Sequence, residues 1–269
     1  MAEPAKPSGP RPRLYHALSS YYSMIARLAL VEGGMAYEPV LVDIHLKMSQ
    51  QQPDYVRLNP NMTVPTLVLP DRVLDQSRDI ATYALGVHEA MLGGETKAWL
   101  DLHYGYPIEE LTFGGLLARN PLARIMIPRR LESIRRKLLE RAARNPDLAK
   151  VYEARAAVFA GRIRAFDPEA VVRLSEKRRA EAIGFMDQLE QTLADGRGVL
   201  VPPAYGAADV VWTVFLARME FVGMGAELEK RPALARYWRA MQARPSFGPA
   251  DIWTKVHVFR LIGGMLGGG

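Results

Sequence analysis

The chain of 269 residues contains no cysteine. Disulfides, thiolate zinc sites, iron–sulfur clusters and cysteine nucleophiles are thereby excluded. The lack suits a reducing compartment, and a cytoplasmic location is expected. No apolar run approaches the roughly 18 residues needed to cross a bilayer, so no transmembrane segment is expected. The opening MAEPAKPSGPRPR is rich in proline and has no apolar stretch. It is not expected to act as a signal peptide, and residues 1–13 are read as a disordered tail. GxSxG, Walker A, HExxH and GxGxxG are all missing. The histidines (His16, His45, His88, His103 and His257) show no metal-ligand spacing, so no metal is expected.

The composition is that of a globular protein, 49% apolar and 24% charged. Its charge is uneven. Over 119–180, 17 Arg or Lys face 7 Asp or Glu, whereas the remainder carries 18 against 22. Such a block can attract polyanions. No nucleic-acid-binding motif accompanies it, and a solvated, arginine-rich helix pair is the simpler reading.

The patterning changes near residue 90. Residues 14–17 read as a buried strand, 23–32 as a helix stopped by Gly33-Gly34, and 37–44 as a second strand. A helical turn over 54–58 ends at Asn59-Pro60. A third strand starts at Val64-Pro65 and runs to residue 69. Val73-Leu74 follows as a short fourth strand, paired tightly enough with the third to be antiparallel. Ser77 then opens a helix to about His88. The order is βαβαββα. Beyond residue 97 only helical periodicity remains, around 98–117, 122–143, 149–164, 168–194, 207–223 and 232–243. The expectation is an α/β domain over 14–92, an all-helical domain over 97–255 and a flexible tail over 256–269.

Three places carry chemistry. Proline at the head of a strand has no amide donor. If Val64-Pro65 is cis, the N–H and C=O of Val64 are left to pair with a peptide-like ligand. Ser77 stands between a strand and a helix, where serine caps the helix and the free N–H groups attract a carboxylate. The run Ser19-Ser20-Tyr21-Tyr22-Ser23 follows the first strand, at the end where α/β proteins bind ligands. A hydroxyl there can donate to a thiolate, and one of the serines serves as a cap. Asp209, three residues after Gly206, is read as the acid of a helix-capping box. Gly33-Gly34 and Gly114-Gly115 are read as turns or close packing.

The stretches SSYYSMIARLAL, PDYVRLNPNMTVPTLVLPDRVLDQSRDIATYAL and YGAADVVWTVFLARMEFVGM together resemble the glutathione transferases over about 13–250. Within that superfamily the chain is similar to the reductive-dehalogenase and ganglioside-induced differentiation branch. The resemblance implies a thioredoxin-like N-terminal domain, an all-helical C-terminal domain and a homodimer. It also implies glutathione as co-substrate. Val64 would bond the tripeptide through its backbone, with Pro65 cis. Gln76 and Ser77 would hold its γ-glutamyl end, and Ser20 or Tyr22 would steady the thiolate. The dehalogenase-like relatives have cysteine where this chain has Tyr22. Gln76 replaces the commoner Glu, and Met62 stands where many members have Gly.

The function so implied is attack of glutathione on a hydrophobic, aromatic electrophile. Tyr22, Tyr104, Tyr106, Phe113 and Trp212 are the candidates to line the acceptor site. Two other readings compete. One is a glutathione-dependent isomerase or dehalogenase working without cysteine. The other is a non-enzymatic scaffold that uses the basic helices as its contact surface.

Overall fold

The computed structural model describes residues 11–87, 92–255 and 257. Four strands form one sheet: β1 (Arg13–His16), β2 (Glu38–Leu41), β3 (Thr66–Val68) and β4 (Val73–Leu74). Their order is β2-β1-β3-β4. β1 runs parallel to β2, and β3 is antiparallel to both β1 and β4. Helix α1 (Tyr21–Glu32) makes the crossover between β1 and β2. α2 (Pro53–Leu58) precedes β3, and α3 (Ser77–Ala84) follows β4. The expected βαβαββα order is therefore present, in a thioredoxin-like arrangement.

The remaining described elements are helical: α4 (Gly94–Tyr104), α5 (Ile108–Arg119), α6 (Pro121–Arg144), α7 (Ala149–Arg164), α8 (Pro168–Leu193), α9 (Ala207–Phe221), α10 (Gly225–Glu229) and α11 (Pro232–Gln242). α9 lies at the centre of the helical part, with Ala207 through Met219 all buried. Its N-terminus is built as the sequence indicated. Asp209 accepts from the Gly206 and Leu200 amides at 3.0 and 2.8 Å, and from the Tyr237 hydroxyl at 2.8 Å. The basic block is not only a helix pair: it spans α6, α7 and the first half of α8, with α6 and α7 packed on each other. Ile134, Leu138, Tyr152 and Phe159 pack inside that pair, together with Val56 and Met62 from the first domain.

Several boundaries differ from expectation. Residue 13 belongs to β1, and the Pro12 carbonyl accepts from Glu38 N at 2.8 Å, so pairing reaches into the proposed tail. Residues 1–10 lie outside the described residues, as do 88–91 and, apart from His257, the tail from 256 on. The second strand stops at Leu41 because the Asp43 carboxylate captures the amides of His45, Leu46 and Lys47 and folds the chain away. The third begins at Thr66 rather than Val64, since pairing with β1 ends at Tyr15↔Thr66. The helical run over 98–117 is two helices, broken at Gly105 and Pro107, where proline cannot continue the amide ladder. Gly33 and Gly114 are close-packing sites. A Cβ on Gly33 would stand 1.9 Å from the Ala84 carbonyl oxygen, and one on Gly114 would stand 2.3 Å from Ser175 Cβ.

Candidate functional site

A cleft of about 490 Å3 opens where the turn before β3, the start of α3 and the end of α4 meet. Tyr22, Val64, Pro65, Gln76, Ser77 and Tyr104 line it, with Thr63, Asp75, Arg78 and Asp79. Six of the residues singled out from the sequence thus share one cleft. The Val64–Pro65 peptide is cis. Val64 precedes the paired part of β3, and its N–H and C=O make no hydrogen bond to a described residue. These groups form an open backbone edge facing the start of α3. The neighbouring Met62 has φ 54°, the left-handed region that glycine favours. Its side chain is nevertheless buried, against the α6–α7 pair.

The expected cap on α3 needs correcting. Gln76 occupies the cap position and Ser77 is the first helical residue. Gln76 makes no side-chain cap and is exposed. The Ser77 hydroxyl instead lies 3.1 Å from the Tyr104 hydroxyl, fastening α3 to the end of α4. Burial raises the Tyr104 pKa well above its ordinary value, so both hydroxyls are neutral. The first turn of α3 borders the cleft through Ser77, Arg78 and Asp79, and a helix start is a place suited to a carboxylate. Arg78, which also lines the cleft, is tied to Asp101 at 2.7 Å.

The serine–tyrosine run divides its tasks. Ser20 caps α1 and accepts from Ser23 N at 3.3 Å. As an acceptor it has spent a lone pair, not its proton, so its O–H is available to donate. Tyr22 differs. Burial and the nearby negative charge of Glu109 raise the pKa of its hydroxyl, so it stands as a neutral phenol. Tyr22 lines the cleft and stacks on Tyr104 with ring centroids 6.4 Å apart, whereas Ser20 is not among the lining residues. Tyr21 turns inward to His103 at 2.7 Å, and burial pushes that imidazole down to about 3. Ser19 pairs with His45 at 2.9 Å.

The proposed acceptor aromatics do not form one surface. Tyr104 lines the cleft with Tyr22. Tyr106 is core: its hydroxyl is bound to the Arg178 carbonyl at 2.7 Å and its ring meets Phe185 and Phe215. Trp212 is fully buried, with its indole N–H on the Trp99 carbonyl at 3.2 Å. Phe113 is 57% exposed and stands apart from the cleft. Helical spacing cannot separate a core aromatic from a ligand-facing one, and here the core claims two of the five. Sequence reasoning missed Thr63, Asp75, Arg78, Asp79 and Glu109. Asp75 to Asp79 was legible as a polar run around a helix start, but nothing in the sequence marks Glu109 as a charge felt by Tyr22. Among the described residues no cluster of His, Asp or Glu is close enough to hold a metal, and no helix is long and apolar enough to cross a membrane.

Comparison with known proteins agrees with this geometry. Residues 19–84 match the family described as Glutathione S-transferase, N-terminal domain. The chain is 33% identical over 253 residues to tetrachloro-p-hydroquinone reductive dehalogenase of Sphingobium chlorophenolicum, covering 90% of this chain and 96% of that protein. It is 32% identical over 106 residues to glutathione S-transferase F10 of Arabidopsis thaliana, covering 35% of this chain and 49% of that protein. Its fold matches the crystal structure of a glutathione transferase family member from Pseudomonas fluorescens, solved with two glutathione bound. The TM-score is 0.62 at 18% identity, and the match covers 93% of this chain and 95% of that one. With the cleft, the fold and a full-length relative in agreement, the chain belongs to the glutathione S-transferase superfamily.

Proposed function

We propose that this protein is a glutathione transferase whose cleft holds the tripeptide between Val64 and the start of α3. The bound thiolate attacks a hydrophobic, aromatic electrophile, forming a thioether and displacing a halide or ether oxygen. The observation that carries the reading is the unpaired Val64 backbone facing the N-terminus of α3 across one cleft. The backbone edge suits the cysteinyl amide, the helix start suits the γ-glutamyl carboxylate, and Gln76 beside Asp75 suits the ammonium. On this reading 14–92 binds the tripeptide and 97–255 supplies the acceptor side, and the assembly is a homodimer.

Ser20 is the hydroxyl assigned to the thiolate, because it sits at the start of α1 with its proton uncommitted, whereas burial beside the Glu109 carboxylate makes Tyr22 a weaker acid. Lowering a thiol pKa by two units takes about 3 kcal/mol. One charge-assisted hydrogen bond and the dipole at the start of α1 are together of that size. Conjugation is favoured over reductive dehalogenation on chemical grounds. A cysteine that could carry a glutathionyl group in a mixed disulfide does not exist in this chain.

Calorimetric titration of the full chain with glutathione tests the reading. Binding below 1–2 mM is expected on the order of ordinary substrate affinities. No heat at millimolar tripeptide would remove the enzyme reading and leave a scaffold that keeps the fold.

A further inference from the structure

Arg218 carries a charge that the protein buries without answering it. The residue is 5% exposed and sits near the end of α9, a helix that is otherwise largely apolar and buried. Its guanidinium makes no hydrogen bond or ion pair with a described residue, and its Nε is sealed from solvent. Two aromatic faces are what it has. The guanidinium carbon is 5.4 Å from the Tyr21 ring centroid and 4.6 Å from that of Phe221. Rings return only part of what desolvating a cation costs. Glu109 is close enough for its charge to be felt, yet it forms no ion pair with the guanidinium.

The position of this cation relative to the cleft gives it meaning. Tyr21 meets Tyr22 edge-on at 5.2 Å, and Tyr22 is cleft wall. Arg218 therefore stands one ring behind that wall, on the helical side where an electrophile would lie. Phe221 is half-buried and marks an approach from solvent. The neighbouring polar groups leave the cation's donors free: the Tyr21 hydroxyl is bound to His103, a neutral imidazole. An arriving anion breaks no existing pair.

We propose that Arg218 is a specificity-determining residue that selects aromatic acceptors carrying a negative charge, a carboxylate or phenolate, by taking that charge beside Tyr21 and Phe221. The inference rests on the glutathione reading for its role in turnover, but its binding claim is independent of it. A planar guanidinium with all its donors unspent offers two parallel hydrogen bonds to a carboxylate in a low-dielectric setting, where such pairs are strongest.

The test compares 3,5-dinitrobenzoate with 1,3-dinitrobenzene as calorimetric ligands of the full chain, wild type and Arg218→Met, without glutathione. The wild type is expected to bind the benzoate at least tenfold more tightly than the neutral compound. Arg218→Met should lose that preference, and Arg218→Lys should keep part of it. Equal affinity of wild type for both compounds, or a preference that survives Arg218→Met, overturns the inference. Should Arg218→Met not fold, the wild-type preference and the Arg218→Lys value still decide the matter. Glutathione titrations on the same samples separate the two readings. Intact glutathione binding without a benzoate preference sinks the Arg218 proposal alone. A benzoate preference without glutathione binding sinks the transferase reading alone.

Discussion

Replacing Asp209 by alanine should be the most destabilising change at any helix start in this protein. Three donors converge on its carboxylate: the Leu200 amide, the Gly206 amide and the Tyr237 hydroxyl. The residue is fully buried, so water does not replace the lost acceptor. Each buried donor left unsatisfied costs about 1–3 kcal/mol. Against that sum stands the carboxylate's own desolvation, which raises its pKa despite the three donors. That penalty is returned when the group is removed. The net loss should be about 3–5 kcal/mol, the range for breaking a buried, compensated charge. Tyr237→Phe removes one donor and leaves two, so it should cost only about 1 kcal/mol. Urea denaturation followed by tryptophan fluorescence reads both, through the shift in midpoint at constant slope. A loss under about 1 kcal/mol for Asp209→Ala would refute the claim that this box organises α9 and, through it, the core.

Three other outcomes follow from the same coordinates. Glu32 holds Arg244 at 2.6 and 2.7 Å and also accepts from Ser246. Burial alone would raise its pKa, but these bonds outweigh it and hold the carboxyl below its ordinary 4.5. The native state therefore releases this proton more readily than the unfolded chain, and the stabilisation is present at neutral pH and fades as pH falls below 4.5. Glu32→Gln should cost about 1–2 kcal/mol at pH 7 and converge on wild type in acid; a gap that persists unchanged in acid contradicts the assignment. Gly114→Ala should destabilise by about 1–3 kcal/mol, because its Cβ meets Ser175 and the Val171 carbonyl across α5 and α8. Gly115→Ala, with open space around it, should gain up to about 1 kcal/mol, and equal thermal shifts for the pair would show the packing to be misjudged. Gln76→Glu restores a charge-assisted acceptor and should tighten glutathione about threefold to tenfold; unchanged affinity would place the ammonium elsewhere.

What the sequence disclosed and what it withheld divide along physical lines. The βαβαββα order was legible because its elements are short, alternately patterned and punctuated by Gly33-Gly34, Asn59-Pro60 and Pro65. Asp209 was legible because a capping box is a local interaction between residues three apart. The cleft was half legible. Val64, Pro65, Gln76 and Ser77 belong to one local strand–turn–helix segment, and they do face one cleft. Long-range pairings were out of reach. Nothing local indicates that Ser77 bonds Tyr104, that the Glu109 charge lies near Tyr22, or that Arg218 ends between Tyr21 and Phe221. Each of these depends on how the helical part docks on the sheet. The same reason explains why Tyr106 and Trp212 were read as acceptor contacts although they are core.

The account's central claim is that an uncommitted alcohol on Ser20 keeps the sulfur of bound glutathione ionised. The most direct measurement is an ultraviolet titration of the thiolate in the binary complex, for wild type, Ser20→Ala and Tyr22→Phe. The account predicts a thiol pKa near neutrality in wild type, a rise of about one to two units in Ser20→Ala and little change in Tyr22→Phe. A rise in Tyr22→Phe with Ser20→Ala unmoved would contradict it and hand the role to the tyrosine.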